Sequence, residues 1–263
     1  MLTLSIQFHR LASSLLFLVA TLGLQSCGIM LLSAEEEIQM GLQAYPEETG
    51  KYTEIKSGPN YEIVQRVTRT LAQQANADVA QSFSEPFKWE CKLLEAPKTV
   101  NAWCLPGGKM AIYTGILPIC KNETGIAVVM SHEIGHAVLR HSNQRISTNM
   151  ILKGAMDAGQ ALFGGSTETT GTLMSALGMG AQYGVLLPFS RSHESEADLY
   201  GVELMIRAGY DPWESVDLWK RMAALGSSGP EFLSTHPNPE NRAQRLAEAI
   251  PGLLQKYGKK SSR

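Results

Sequence analysis

The chain carries no surplus of basic charge: 23 Lys and Arg stand against 25 Asp and Glu, a formal net charge of −2. That removes the footing for nucleic-acid binding, which needs clustered cations facing phosphates, so no nucleic-acid partner is expected. No segment repeats at the roughly 20–50-residue periods that mark solenoids and propellers. Long apolar runs are scarce too. The stretch from Leu11 to Leu24 is fourteen residues without a charge, short of the about 20 that a bilayer-spanning helix takes. Cysteine is rare: beyond Cys27 only Cys91, Cys104 and Cys120 remain. An odd number cannot all pair within one chain, so at most one disulfide and one thiol would form in an oxidising compartment, and the sequence does not choose the pair. Their scatter is not the C-x-x-C spacing of a zinc site, and they read as packing residues.

What is present begins with a leader. The uncharged run after His9 and Arg10 has the length of a signal-peptide core. Leu24-Gln25-Ser26-Cys27 follows, small or apolar residues before a cysteine, and resembles a bacterial lipobox. Residues 1–26 are expected to be a lipoprotein-type signal, cut before a lipidated Cys27; an ordinary secretory signal with an incidental cysteine is the alternative. Gly28 in place of Asp favours, by resemblance to Gram-negative sorting rules, the outer membrane. The expected location is therefore exported, on the periplasmic side, with the membrane reached through a lipid anchor. Residues 27–58 (AEEE, YPEETG, KSGPN) read as an anchor linker, 59–252 as the folded domain and 253–263 as a solvated tail.

Within the domain, Asn60 can cap a helix to about Asn76, with Ile63, Val64, Val67 and Leu71 on one side. WECKLLEA alternates as a strand, and TVNAWCLPGGKMAIYTG reads strand, Pro-Gly-Gly turn, strand. Apolar residues at helical spacing run from Thr124 to about Arg145. Residues 151–189 are rich in Ala, Gly, Met and Leu around a polar STETT break; they read as a membrane-touching hairpin or as a pair of core helices. Helices follow at about Ser192–Ala208, after Asp211-Pro212, and from Asn238 or Pro239 to about Ile250. Much helix with one small hairpin-rich sheet makes an α+β domain.

The chemistry concentrates in HEIGH, residues 132–136. Successive helical side chains are about 100° apart, so His132 and His136 share a face and can hold one metal ion. Glu133 lies beside them, poorly placed as a ligand but able to act as a general base toward water. His141, nine residues past His132, falls about 180° round a continuous helix and is expected to point away, as a structural or surface residue. A metzincin would carry Gly and a third His where this chain has Leu139 and Ser142, so the third ligand must come from another element. SRSHESEADLYG (190–201) supplies Glu194 and Asp198 at i, i+4. Glu194 can ligate, Asp198 can accept from a ligand histidine's free N–H, and Glu196 falls on another face. A merely acidic, solvated helix face is the plain alternative.

HEIGH, SRSHESEAD, VNAWCLPGGKMAIYTG and STHPNPENR, in this order, resemble the HtpX and CAAX-prenyl-protease-like (Ste24-type) family of zinc metallopeptidases, over about residues 60–250. Within it, the likeness is to periplasmic lipoprotein members and mitochondrial quality-control relatives. The resemblance implies a mostly helical gluzincin-type fold, one catalytic Zn²⁺ and endopeptidase action on proteins, here cell-envelope proteins. It also brings His236 and Arg242 near the site. His236 would serve either as a transition-state hydrogen-bond donor or as a fourth ligand that keeps the enzyme latent. Arg242 would support the ligands from behind. The Asn101-Ala102-Trp103 segment would bind substrate as an added strand, although on pattern alone it is scaffold. Two other functions compete: a chaperone-like or adaptor lipoprotein with a structural or latent zinc site, and a processing enzyme for lipidated substrates. The sequence sets no oligomeric state.

Overall fold

Four short strands form one mixed sheet in the computed structural model, which describes residues 28–163, 189–225, 231–236 and 239–260. They are β1 (Thr53–Ile55), β2 (Glu90–Glu95), β3 (Ala102–Leu105) and β4 (Lys109–Tyr113), in the order β1-β2-β4-β3. β3 and β4 are the expected hairpin, antiparallel, with Gly107 at φ 88° and Gly108 at φ 80° in its turn, values that glycine adopts without a Cβ clash. β2 runs parallel to β4, so β3 is left at the sheet edge. Strand alternation divides the side chains. Cys91, Leu93, Ala102, Cys104, Met110 and Ile112 join the main core, whereas Leu94, Trp103, Leu105, Ala111 and Tyr113 join a smaller one with Ala44 and Tyr45.

That smaller core exists because residues 34–55 are not a linker, which corrects the reading of 27–58 over this part. Helix α1 (Ala34–Thr49) starts at Ser33, whose hydroxyl accepts from Glu36 N–H while the Glu36 carboxylate accepts from Ser33 N–H. This capping box turns the acidic AEEE stretch into a helix start. A Cβ on Gly41 would lie 2.1 Å from Pro106 O, so α1 rests directly on the hairpin turn. Glu37 is buried and accepts from Arg140 and Asn143. Acidic composition signalled solvent; tertiary pairing made one of those acids internal.

Helix α2 (Pro59–Ser82) begins one residue before Asn60, without a side-chain cap, and runs on to Ser82 because Ala75 and Val79 continue its buried stripe. After a short turn and helix α3 (Leu117–Cys120), the Asn122 side chain accepts from Gly125 N–H and caps α4 (Glu123–Val138). This helix is apolar on nearly every side and buried from Ile126 to Val138, as a central helix must be. It ends earlier than its periodicity suggests. Arg140 takes φ 59°, a left-handed conformation that breaks the helix, and α5 (His141–Phe163) starts immediately after. Residues 151–163 are helical; the rest of the 151–189 stretch lies outside the described residues, apart from Phe189.

Helix α6 (Arg191–Ala208) is capped by the Ser190 hydroxyl, which accepts from His193 N–H, and closed by left-handed Gly209. Helices α7 (Trp213–Ala223), α8 (Glu231–Thr235) and α9 (Pro239–Lys256) complete the described chain, α9 running past Pro251 and into the segment read as tail. Small residues let α4 and α6 approach closely. A Cβ on Gly135 would lie 3.1 Å from Ala197 O, and one on Gly201 3.1 Å from His132 N. The two helices bearing HEIGH and SHESEAD are thereby pressed together along the HEIGH turn.

The chain divides into residues 1–30 and 31–263. Residues 1–27, including the leader and Cys27, lie outside the described residues. Among the described residues no helix is long and apolar enough to cross a membrane. Cys91, Cys104 and Cys120 are buried free thiols, the packing role expected of them. Burial pushes the Cys91 and Cys120 thiols up to about 12. The architecture is the α+β, mostly helical domain with one small sheet that the residue pattern implies.

Candidate metal centre

Four buried side chains from three parts of the chain meet at one point: His132 and His136 of α4, Glu194 of α6 and His236 just after α8. His132 Nε2 lies 3.1 Å from His136 Nε2 and 3.2 Å from His236 Nδ1. Glu194 Oε1 is 3.3 Å from His136 Nε2 and 3.0 Å from His236 Nδ1, and Oε2 is 3.6 Å from His132 Nε2. A tetrahedron with zinc bonds of about 2.0–2.1 Å has edges of about 3.3 Å. The spacing therefore fits one ion among the four groups. Two or three imidazoles with a carboxylate are zinc's preferred donors. Without a cation, several neutral imidazoles packed this tightly have few donors to share.

One further carboxylate and one guanidinium support these donors. His132 Nδ1 faces Asp198 Oδ1 at 3.1 Å, the orienting contact expected from the i, i+4 spacing. Arg242 is fully buried and donates from Nε and Nη2 to Asp198, at 2.7 and 2.6 Å, and from Nη1 to Glu194 Oε2 at 2.6 Å. Its guanidinium lies 3.3 Å over the Trp219 ring. Burial alone would raise the Glu194 carboxyl, but His236 and Arg242 hold it well below the usual carboxylate range. Burial and Arg242 oppose each other at Asp198 in the same way, with the net shift downward. Burial pushes the His136 imidazole well below its ordinary value, keeping it neutral and able to donate a lone pair.

Glu133 differs from Glu194 in lacking a strong hydrogen-bond donor. Burial raises its carboxyl, with His236 and His132 opposing. Its Oε1 has no hydrogen-bond partner and lies 3.4 Å from His236 Nε2. A buried, unbonded carboxylate oxygen facing a metal-type cluster is costly unless something else meets it there. This orphaned atom, with the donor set, is the observation that fits a bound cation and a water or substrate beside it.

Asn101, Ala102 and Trp103 are buried at the sheet edge. Trp103 turns its indole into the smaller core, where Nε1 donates to Tyr113 Oη at 3.1 Å and the ring meets Tyr45 edge-on. Asn101 Oδ1 accepts from Ala102 N–H, and Val100 O accepts from Phe232 N–H at 3.1 Å, which ties α8 and His236 to the β3 edge. His141 does not point away. Because the chain turns at Arg140, His141 is fully buried with Nδ1 3.0 Å from His136 Nδ1. Burial and neighbouring His193 drive its pKa down to about 3. Glu196 faces away from the four donors, as expected, but its Oε2 reaches His141 Nε2 at 3.3 Å.

One contributor was not foreseen. Phe189 stacks on His136 with ring centroids 3.7 Å apart, and the Arg145 guanidinium lies 3.8 Å from the centre of the same Phe189 ring. A phenylalanine at the margin of a long stretch rich in Ala and Gly carries no local signal for such a contact.

The model of peptidase family M48 matches residues 61–250. The chain is 36% identical to the mitochondrial metalloendopeptidase OMA1 of Schizosaccharomyces pombe, over 84% of this chain and 63% of that protein. It is 35% identical to the Arabidopsis thaliana OMA1, over 70% and 36%. Against the beta-barrel assembly-enhancing protease of Escherichia coli K12 it is 29% identical, over 83% and 44%. The chain thus spans between about a third and two thirds of the length of these relatives. The matched region contains all four converging donors and Glu133, and the chain belongs to peptidase family M48.

Proposed function

We propose that this chain is a zinc-dependent endopeptidase that hydrolyses cell-envelope proteins, misfolded or misassembled ones in particular. The single observation that carries the reading is the unbonded Glu133 Oε1 buried against the His132–His136–Glu194–His236 cluster. A structural metal site would leave no reason to bury that carboxylate without a donor.

His132, His136 and Glu194 would hold the ion. When bound, zinc supplies Lewis-acid activation of water and of the scissile carbonyl. Glu133 takes the proton of the attacking water and passes it to the leaving amine, a role its burial-raised basicity suits. Asp198 keeps the His132 ring in the tautomer with Nε2 free. Arg242 prevents Glu194 and Asp198 from repelling each other in a dry site. The edge of β3 at Asn101 and Ala102 would pair with an extended substrate; Trp103 braces that edge from behind through Tyr45 and Tyr113.

His236 has two possible jobs, and the spacing favours one. Its Nδ1 takes the fourth corner of the donor set, which supports a fourth ligand that keeps the site latent. The His236→Ala protein should therefore show higher basal proteolysis. Lost cleavage at unchanged zinc content would make His236 a transition-state donor instead. The same fourth-corner geometry is what favours the rival reading, a chaperone-like or adaptor lipoprotein whose site stays shut.

The envelope assignment draws on the E. coli relative, named for β-barrel assembly, and on the leader-like residues 11–27. It extends to the HtpX-like lipoprotein branch, export, and an outer-membrane anchor on Cys27. Fatty-acid label that persists on a Cys27→Ser chain would count against the anchor. The activity itself is tested by digesting casein and an unfolded β-barrel protein with the full chain, with and without a zinc chelator. Cleavage is expected to stop with chelator and return with zinc; chelator-insensitive cleavage would remove the mechanism.

A further inference from the structure

His136 needs a hydrogen-bond acceptor behind it, and the residue that faces it is another histidine. If His136 offers Nε2 to the shared donor cluster, its proton sits on Nδ1. The His136 Nδ1 atom lies 3.0 Å from His141 Nδ1. Two N–H groups cannot face each other at that distance, so one of the two nitrogens must be unprotonated. With the His136 proton on Nδ1, His141 must present a bare Nδ1 and carry its own proton on Nε2. There the chain supplies an acceptor: Glu196 Oε2, 3.3 Å from His141 Nε2. The order His136 Nδ1–H, His141 Nδ1, His141 Nε2–H, Glu196 carboxylate satisfies each atom once.

The surroundings hold this arrangement in place. His141 is fully buried, and the His193 ring stacks on it with centroids 4.5 Å apart and planes 16° apart. His193 Nε2 in turn lies 3.0 Å from Gln144 Oε1. The Arg140 turn that aims His141 inward is fixed by Glu37 of α1, which accepts from the Arg140 guanidinium, and by Leu32 O, which accepts from Arg140 Nη2 at 3.2 Å. On the opposite ligand the same job falls to a carboxylate directly, Asp198 facing His132 Nδ1. The two metal-facing histidines of α4 are thus backed differently: one by an aspartate, the other by a histidine that relays to a glutamate.

We propose that His141 is a positioning residue for His136, fixing its ring orientation and tautomer through a neutral Nε2–H imidazole backed by Glu196. The inference rests on the proposed reading in one respect, that His136 is a metal ligand. Losing a group that orients a ligand typically lowers metal affinity by about 10–100-fold.

The test measures zinc affinity of the full chain by competition with a chromogenic chelator, for the parent and for His136→Ala, His141→Leu and His141→Asn. Leucine removes the acceptor, whereas the asparagine carbonyl can replace Nδ1. The expected result is affinity lowered by about 10–100-fold in His141→Leu and largely restored in His141→Asn. Equal losses in both, or no loss in His141→Leu while His136→Ala loses zinc, would overturn this inference and leave the metal reading intact. Unchanged zinc binding in His136→Ala would instead overturn the metal reading. Ring ¹⁵N spectra of the zinc-loaded parent decide the matter even where a variant fails to fold. They should show His141 protonated on Nε2 and bare on Nδ1; the opposite tautomer, or a charged ring, would sink the proposal.

Discussion

Replacing Glu133 by Gln is expected to reduce peptide hydrolysis by about 10²–10⁴-fold, the contribution of a positioned general base, while the protein keeps its zinc and its fold. The change is nearly isosteric and removes only the ability to take a proton. Glu133 sits one residue from His132 on α4 but is not among the four converging donors, so metal content should not fall. Its burial also lacks the stabilising partners that Glu194 has. An uncharged Gln at this position should therefore leave the unfolding midpoint unchanged or slightly higher. Turnover within about tenfold of the parent would mean that another group moves the proton and would remove Glu133 as the general base. Parallel loss of zinc would mean that Glu133 is a ligand.

The second large effect belongs to Arg242. Its guanidinium is fully buried, bridges Glu194 and Asp198 at 2.6–2.7 Å and covers the Trp219 ring. Replacing it by Leu would leave two carboxylates buried 1% and 5% exposed with no cation between them. Breaking a buried pair from one side costs about 3–5 kcal/mol, and here one cation serves two anions. The Arg242→Leu protein is expected to lose about that much in zinc-free urea unfolding. Zinc should recover part of the loss, because the ion neutralises Glu194. Lys should rescue poorly, since an ammonium cannot reproduce a fork that binds one carboxylate with two nitrogens and a second with the third. A destabilisation under about 1 kcal/mol would show that the network is dispensable.

How much of this was legible in the residues depends on how local each signal is. HEIGH could be read because a helix repeats about every 3.6 residues and His132 and His136 lie within one turn. Glu194 and Asp198 could be read for the same reason, on a helix expected at about Ser192–Ala208; the Ser190 cap that starts it was not read. The hairpin declared itself through Pro106-Gly107-Gly108. The reading of 27–58 failed over α1 because acidic residues at a helix start look like a solvated linker until a partner is known; Arg140 and Asn143, which hold Glu37, are more than 100 residues away. His141 was misjudged for a sharper reason. The angular argument assumed one continuous helix through Arg145, and a single left-handed residue at Arg140 cancelled it.

The sequence alone determined the local groupings: two imidazoles and a carboxylate on one turn of α4, a carboxylate pair on α6, and the α+β class of the domain. These follow from backbone periodicity, which any stretch carries within itself. Only the tertiary structure decided that α4 and α6 meet through Gly135 and Gly201, that His236 closes the donor set and that Arg242 binds both carboxylates of α6. It also turned His141 back onto His136. Each of these needs side chains far apart in the chain to share a dry volume, where a hydrogen bond or a charge counts for more than it does in water, and no local pattern encodes which distant partner will arrive.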